Sequence, residues 1–346
     1  MSWQTDFKDA LRTNEDLTKF FEVEFPTTHY PIFIPKIFAE KIKIHGVDSP
    51  LWKQFLPQVE EDANLNGRYD PIGDKTHSKG NQLIHRYHNR VLFTPTTICP
   101  VICRYCFRKN ELADKDEVFN QNFAEAKNYL RANPKINEVI FTGGDPLILS
   151  NEKLAGYIQD FAEIENLKYI RFHSRTPVIL PGRIDDGFLA VMTSAKEIFK
   201  RSMLMIHINH GDELDAEVLE AIKLLTDAGI EVFSQTVLLK GVNDKTEILL
   251  ELFTRLAEIK VKPYYLHHPD EALGAMHFYM SLEVGRRIVQ PLHDLLPGWA
   301  LPQYVIDIPG GEGKIPALNP ESFTFSGTLI NRHGKEIKVI TSNPVI

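Results

Sequence analysis

The sequence contains very little cysteine, since its 346 residues include only Cys99, Cys103 and Cys106. Three cysteines confined to one short stretch cannot build a disulfide framework. Long apolar runs are also missing, and the first residues carry acidic side chains where a secretory signal has an apolar core. These absences exclude disulfide-rich and membrane-spanning proteins and predict a cytoplasmic chain, because that compartment keeps thiols reduced.

An excess of positive charge is absent as well. Lysine and arginine number 39 against 46 aspartate and glutamate residues, so the formal net charge is −7. This balance argues against a protein that binds nucleic acid through a basic face. No repeat and no low-complexity tract is visible, which argues against solenoids and propellers. The expected partner is therefore a small-molecule substrate, with neither nucleic acid nor membrane involved.

From residue 81 onward, short apolar runs alternate with segments of helical period. Val218, Ile222 and Leu225 share one helical face, for example, and Gly229 follows as a cap. Six such alternations predict an α/β fold with a parallel sheet, either open or curled into a barrel. The predicted strands, rich in Val, Ile, Phe and Tyr, are 91–94, 139–142, 169–173, 204–209, 232–238 and 264–267.

The chain divides into three predicted parts. Residues 1–80 read as a helical N-terminal region and linker, 81–295 as the strand–helix core and 296–346 as a C-terminal segment. Within the first part, the stretch 60–82 is polar and carries Asn, Gly, Asp and Pro, so we expect a connecting loop there.

Polar residues gather at the carboxyl ends of the predicted strands. Gly143, Gly144 and Asp145 follow the second run, while His207 and Gln235 lie in the fourth and fifth. In parallel α/β folds this edge carries the active site, because its loops converge on one opening. Each cluster alone could simply mark a strand end, but the cysteines follow the first run as well.

The cysteine spacing, Cys99-x3-Cys103-x2-Cys106, indicates a metal centre. A structural zinc site has four protein ligands, whereas a cubane iron–sulfur cluster held by three thiolates leaves one iron open for another molecule. The spacing lets one loop reach three corners of such a cluster. A zinc site completed by His88 and a redox thiol pair remain as alternatives.

This motif, with Tyr105 before its last cysteine, resembles that of the radical S-adenosylmethionine superfamily. The resemblance implies a [4Fe–4S] cluster whose open iron is bound by the amino and carboxylate groups of S-adenosylmethionine. The Thr-Gly-Gly-Asp-Pro turn at 142–146 resembles the glycine-rich methionine-binding motif of the same superfamily. Gly143, Gly144 and Asp145 are therefore implied cofactor contacts.

Lys314 follows three glycines in the segment YVIDIPGGEGKIPALNP. A nucleotide-binding P-loop requires Ser or Thr after the lysine, and Ile315 stands there instead. Residue types alone leave two interpretations, a solvated surface lysine and a Schiff-base lysine on a flexible tether. The whole chain, however, resembles the lysine 2,3-aminomutase family, in which this stretch presents the lysine that binds pyridoxal phosphate. The resemblance assigns that role to Lys314.

The resemblance implies further roles and a reaction. The fold would be a partial (β/α)6 barrel, and the amino group of L-lysine would move from C2 to C3 to give β-lysine. A related aminomutase acting on another amino acid such as glutamate, or a non-catalytic iron–sulfur or zinc protein, are the alternatives. The implied residues are Arg86, Tyr87 and Arg90 for pyridoxal phosphate, Arg108 for the substrate α-carboxylate, Asp270 and Asp307 for the distal ammonium, and His207 and Gln235 facing one of the cofactors.

One departure from the family concerns zinc. Longer members carry additional cysteines that bind a structural zinc at a subunit interface, and this sequence has none. It resembles the shorter branch, which includes the enzyme that supplies β-lysine for modification of elongation factor P. The resemblance implies a reductant such as flavodoxin or ferredoxin and leaves a homo-oligomer open.

Overall fold

A nine-stranded sheet forms the centre of the computed structural model, which describes residues 2–63, 66–80, 82–110 and 123–318 and the short strands 328–330 and 336–338. The strands are β1 (Ala10–Leu11), β2 (Ile34–Pro35), β3 (Leu83–Tyr87), β4 (Arg90–Thr96), β5 (Glu138–Gly143), β6 (Tyr169–Ser174), β7 (Arg201–His207), β8 (Glu231–Val237), β9 (Lys262–His267), β10 (Gln303–Ile308), β11 (Gly313–Pro316), β12 (Thr328–Ile330) and β13 (Glu336–Lys338). The sheet has the order β11-β10-β9-β8-β7-β6-β5-β4-β3, while β1 pairs with β2 and β12 with β13.

Helices cover the N-terminal region and connect the strands. The helices Asn151–Ala162, Asp186–Ile198 and Ala216–Asp227 begin at side-chain caps, because Ser150, Asp185 and Asp215 each accept a hydrogen bond from a first-turn amide. Described α-helices are Trp3–Lys8, Asn14–Phe21, Lys36–His45, Pro50–Phe55, Glu60–Ala63, Asp74–His77, Phe123–Ala132, Asn151–Ala162, Thr176–Ile179, Asp186–Ile198, Ala216–Asp227, Thr246–Glu258, Leu282–Val289 and Leu292–Leu295. Single 3-10 turns are Pro146–Ile148, Pro181–Arg183, Gly211–Glu213 and Met276–Phe278.

Strands β4 to β9 are parallel, and each neighbours the next one along the chain. They overlap the six predicted apolar runs, so the α/β partial barrel is confirmed. The predicted cap also holds, since Gly229 has a φ of +70° just beyond the helix Ala216–Asp227.

Alternate side chains along each strand point to opposite faces of the sheet, and the two faces have different surroundings. On β5, Val139 and Phe141 are fully buried in the hydrophobic core between sheet and helices. Ile140 and Thr142 point the other way and line a cavity on the concave side. The core therefore lies outside the barrel, and its interior is available for ligands.

Both edges of the sheet depart from the six-unit prediction. At one edge β3 forms an antiparallel hairpin with β4, and at the other β10 adds a seventh parallel strand followed by the antiparallel β11. The two edges are in contact, because the Tyr87 hydroxyl accepts a hydrogen bond from the Lys314 backbone amide at 2.8 Å. The described start of the C-terminal segment thus belongs to the barrel wall, while the boundaries at 80 and 295 stay a prediction.

The N-terminal helices pack against the loop that carries the cysteines. Phe38 and Phe55 belong to a second hydrophobic cluster that also includes Val101 and contacts Cys103. The 60–82 stretch does connect this region to β3, but it also contains two short helices and the buried side chains of Glu61 and Asp74. The stretch therefore connects the two regions as predicted, but it is partly helical and carries buried charges that the sequence did not predict.

Candidate active site

One cavity of about 720 Å³ opens at the carboxyl ends of the parallel strands and continues into the barrel interior. It brings together side chains from the cysteine loop, the sheet and the glycine-rich β10–β11 turn. Every site residue singled out in the sequence lines it: Arg86, Tyr87, Arg90, Cys99, Cys103, Cys106, Arg108, Gly143, Gly144, Asp145, His207, Gln235, Asp270, Asp307 and Lys314.

The three cysteines lie on the loop after β4, each half-buried at the cavity wall. The loop turns tightly between them, because the Cys106 amide donates to the Cys103 carbonyl at 3.1 Å. Burial raises the pKa of Cys99 well above its usual range and that of Cys103 to about 11. Metal ligation requires thiolates, so binding of iron by this loop releases protons.

Buried ion pairs between the cysteine loop and the N-terminal region hold the loop in place. Glu61 Oε2 lies 2.6 Å from Arg104 Nη2 and 3.0 Å from Lys109 Nζ, and none of the three side chains is more than 1% exposed. Arg104 stands between Cys103 and Cys106, and Lys109 follows three residues later. Burial lowers the pKa of Lys109 to about 8. The loop is therefore tied to the N-terminal region by ion pairs that water cannot reach.

Gly143 and Gly144 bring the end of β5 against the same loop. The Gly144 amide donates to the Thr96 carbonyl at 2.9 Å, and the Asp145 amide donates to the Ile98 carbonyl at 2.8 Å. Gly143 has a φ of +102°, and a Cβ on Gly144 would lie 2.4 Å from the Ile98 oxygen. Glycine is required here because no side chain fits between the two backbones.

Replacing Gly144 by alanine should displace the cysteine loop. We expect the free energy of unfolding to fall by about 1–3 kcal/mol, as in other overpacked sites, and cluster assembly to fall with it. Denaturant titration and iron content after anaerobic reconstitution measure the two effects. Gly156→Ala is the matched control, because Gly156 lies in a helix and its Cβ would meet nothing within 4 Å. Equal iron content in both variants would contradict the prediction.

The Asp145 carboxylate is fully engaged by the chain itself. Its oxygens accept hydrogen bonds from Ser174 Oγ at 2.7 Å and from the backbone amides of Leu147, Arg175 and Thr176 at 2.6–3.0 Å. Asp145 thus joins the ends of β5 and β6 at the cavity. Its predicted cofactor contact stays a prediction.

Arg175 supplies a buried positive charge beside the cysteine loop. Its Nη2 donates to Glu213 Oε2 at 2.6 Å, and its Nη1 donates to the hydroxyl of Tyr105. Burial raises the pKa of Cys103, and the charge of Arg175 opposes that effect by favouring the thiolate. Nothing local in the sequence indicates that Arg175 reaches Tyr105, because the two residues are 70 positions apart.

Lys314 faces Asp307 across the β10–β11 hairpin. The two are direct cross-strand partners, and Lys314 Nζ lies 2.7 Å from Asp307 Oδ2 and 3.0 Å from Oδ1. The preceding glycines Gly310, Gly311 and Gly313 all have positive φ, between +85° and +93°. The glycines therefore allow the tight turn that places the Lys314 side chain at the cavity.

Tyr87 and Arg90 support the backbone of Lys314. The Tyr87 hydroxyl accepts from the Lys314 amide, and the Arg90 guanidinium carbon stacks 3.8 Å from the centre of the Tyr87 ring. Arg86, predicted with them as a phosphate ligand, makes different contacts. Its Nη2 donates to Asp74 Oδ1 at 2.7 Å, and its Nη1 lies 3.4 Å from Asp307 Oδ1.

Asp74 is a further site residue that sequence reasoning missed. It is fully buried, and its carboxylate bridges two arginines, with Oδ1 on Arg86 and Oδ2 2.5 Å from Arg108 Nη2. The residue sits in a polar stretch without helical or strand period, so the sequence carried no signal for its burial. Arg108, the predicted carboxylate ligand, is thus held by a fixed anion.

Three histidines line the part of the cavity formed by β6, β7 and β9. Burial lowers the pKa of His207 to about 4 and those of His173 and His267 well below the usual range. All three are neutral at pH 7 and offer hydrogen bonds without adding charge. His207 lies beside Gln235 in the β7–β8 register, so these two predicted residues face the same space.

Asp270 follows β9 and adds a second carboxylate near Asp307. Burial, and then the like charge of Asp307, raise the pKa of Asp270 to about 7. The positive charges of Lys314 and Arg86 oppose this shift. A cation placed beside this carboxylate would stabilise its ionised form and lower its pKa.

The cavity has the donors that the implied cofactors need. Within the described part of the chain, Arg171 Nε and His173 Nε2 are buried and lack a hydrogen-bond partner, and both residues line the cavity. Such groups are costly unless a ligand satisfies them. Three thiols on one loop suit a cluster with an open iron, and the tethered amine of Lys314 suits covalent attachment of an aldehyde cofactor.

Comparison with known proteins finds a superfamily match to the core and relatives that match most of the chain. The profile of the radical SAM superfamily matches residues 93–253. A putative L-lysine 2,3-aminomutase of Aquifex aeolicus is 33% identical, over 92% of this chain and 88% of that protein. The L-lysine 2,3-aminomutase of Escherichia coli K12 is 31% identical over 91% and 94%. That of Methanococcus maripaludis is 35% identical, but only 68% of it is covered.

These similarities decide between the alternatives that the cysteine motif left open. They favour a [4Fe–4S] enzyme that uses S-adenosylmethionine over a zinc protein or a non-catalytic binding module. No helix in the described ranges combines the length and apolar character of a membrane span. The chain belongs to the lysine 2,3-aminomutase family of radical S-adenosylmethionine enzymes, which are isomerases.

Proposed function

We propose that this enzyme moves the amino group of L-lysine from C2 to C3 to give β-lysine, with pyridoxal phosphate attached to Lys314. The observation that carries the proposal is that three thiols, a tethered lysine amine and two aspartates share one cavity. Each of the implied cofactors and the substrate has a group of matching chemistry there.

The residues divide the work between the cofactors. When bound, the cluster with S-adenosylmethionine supplies a carbon radical that removes and returns hydrogen, and pyridoxal phosphate supplies a π system for nitrogen migration. Cys99, Cys103 and Cys106 hold the cluster. Lys314 holds pyridoxal phosphate, and Arg90 is the guanidinium nearest the Tyr87–Lys314 contact that can bind its phosphate.

Asp270 and Asp307 favour an amino acid with a cationic side chain. Lys314 Nζ pairs with Asp307 Oδ2 at 2.7 Å, and with pyridoxal phosphate bound to Lys314 the Asp307 carboxylate would be available to the substrate ammonium. Arg108, oriented by Asp74, would bind the α-carboxylate. Two carboxylates would repel a glutamate side chain, so the glutamate alternative is the weaker one. The reducing electron would come from a protein such as flavodoxin or ferredoxin.

An anaerobic assay tests the proposal. Purified enzyme, L-lysine, S-adenosylmethionine, pyridoxal phosphate and a chemical reductant should yield β-lysine, separated from lysine by chiral chromatography. Omitting either small-molecule cofactor should abolish the product. L-Glutamate replaces lysine in a parallel reaction. Turnover of glutamate without turnover of lysine would overturn the substrate assignment while leaving the family intact.

The pKa of Asp270 gives the reaction a predicted pH dependence. Only the ionised carboxylate attracts the substrate ammonium, so kcat/KM for lysine should fall by about tenfold per pH unit below pH 7. Asp270→Asn should lower kcat/KM at pH 8 by about 10- to 100-fold, the loss of one charge-assisted hydrogen bond, and should flatten that acid limb. An acid limb unchanged in the variant would show that another group titrates.

A further inference from the structure

A continuous chain of alternating charges runs along one wall of the cavity. Arg108 Nη2 lies 2.5 Å from Asp74, Asp74 lies 2.7 Å from Arg86, and Arg86 lies 3.4 Å from Asp307. This series of charges ends at Lys314, whose Nζ lies 2.7 Å from Asp307 Oδ2. Asp74 and Arg86 are largely hidden from water, since the Asp74 side chain is 0% and the Arg86 side chain 9% exposed. Ion pairs in such surroundings are screened little by solvent.

The backbone beneath Asp74 is held rigidly. Asp70 accepts from the Asp74 amide at 2.9 Å and from the Lys75 amide at 3.0 Å, which fixes the start of the short helix. Gly73 packs directly on the lysine-bearing turn, because a Cβ there would lie 2.6 Å from the carbonyl carbon of Gly310. Asp74 is thus anchored to the segment that carries Lys314 as well as to the two arginines.

The two ends of this series of charged side chains serve opposite ends of the substrate. Under the proposed function, Arg108 binds the α-carboxylate and Asp307, with Asp270, binds the distal ammonium. The distance between these two binding points is set by the members that join them, Asp74 and Arg86. Neither inner residue needs to touch the substrate to control which length of amino acid fits.

We propose that Asp74 is a positioning residue that makes the site a gauge for the length of a basic amino acid. The inference rests on the proposed function for its substrate class. Ornithine has the same charged ends as lysine but one methylene fewer, so it cannot reach both binding points without leaving a buried charge unpaired. The gauge therefore favours lysine as long as Asp74 holds Arg108 and Arg86 in place.

The test compares lysine with ornithine on each variant. The ratio of their kcat/KM values is independent of the fraction of active enzyme, because both substrates are measured on one preparation. Calorimetric dissociation constants for both amino acids, on anaerobic holoenzyme without S-adenosylmethionine, give a second readout without turnover. Asp74→Asn should lower the lysine-to-ornithine ratio by about tenfold or more in both measurements.

Two further variants separate positioning from general damage. Asp74→Glu keeps the negative charge between the arginines and should retain most of the parental ratio. Asp227→Asn removes an exposed carboxylate paired with Lys223 on a surface helix, and should leave the ratio unchanged. If Asp74→Asn does not fold, Arg86→Gln interrupts the same chain one member further and must show the same loss.

The outcomes are distinct. An Asp74→Asn enzyme that keeps the parental ratio overturns the gauge, as does an Asp74→Glu enzyme that loses it equally. A parental enzyme that does not distinguish lysine from ornithine also overturns it. A parental enzyme that converts neither amino acid contradicts the proposed function instead.

Discussion

Replacing Cys103 by serine should eliminate iron–sulfur cluster assembly and reduce turnover to the level seen without S-adenosylmethionine. A cluster held by three thiolates has no spare protein ligand on this loop, and serine is a poor ligand for iron in a sulfur site. The chain should remain folded, because its main core lies between the sheet and its helices and does not include this side chain. Anaerobic reconstitution followed by iron analysis and the visible spectrum measures the loss.

The informative control is the other cofactor on the same protein. The Cys103→Ser chain should still attach pyridoxal phosphate at Lys314, because Lys314 is held by Asp307 and Tyr87 rather than by the cysteine loop. Undiminished turnover in this variant would overturn the radical mechanism. Loss of both cofactors together would show that the substitution had unfolded the site and would contradict the predicted independence.

Replacing Lys314 by methionine should remove covalent attachment of pyridoxal phosphate and lower turnover by about 100-fold or more, as for loss of a positioned catalytic group. Methionine preserves much of the apolar length of lysine and removes only the amine. Borohydride reduction followed by peptide mapping should find the pyridoxyl group on Lys314 in the parental enzyme and on no lysine in the variant. Iron content should not change.

Lys223→Met serves as the matched control for that experiment. Lys223 lies on a surface helix and pairs with Asp227, away from the cavity residues. Its removal should leave pyridoxal attachment and turnover at parental levels. A pyridoxyl group mapped to another lysine in the parental enzyme would show that Lys314 is not the attachment site, even though the family assignment would stand.

The sequence was most informative where the chemistry is local. The spacing of Cys99, Cys103 and Cys106 limits the ligand to one that a single loop can surround, and this is readable without any structure. The apolar runs behave similarly, since burial on one face of a parallel sheet leaves a pattern of adjacent residues. Strands β4 to β9 were therefore predicted correctly, and the family resemblance supplied roles that patterns alone left open.

Edge strands and the wall of the cavity were harder to predict. The sequence assigned β10 and β11 to a separate C-terminal segment, because a seventh parallel strand depends on pairing with β9 rather than on local composition. The segment HRYHNRVLF likewise gave no indication that β3 would turn back on β4 as an antiparallel edge. Pairings of this kind connect residues far apart in the chain.

The sequence by itself determined the three-cysteine loop and the alternating core, because each depends on neighbouring residues, whereas the cluster type and the role of Lys314 came from the resemblance to the family. Only the tertiary structure decided that Asp74 enters the site and that Arg86 joins it to Asp307, 233 positions further along the chain than Asp74. The physical reason is the curvature of the sheet. It brings the hairpin edge at β3 against the β10–β11 edge, and a buried carboxylate is tolerated there only because two guanidinium groups surround it.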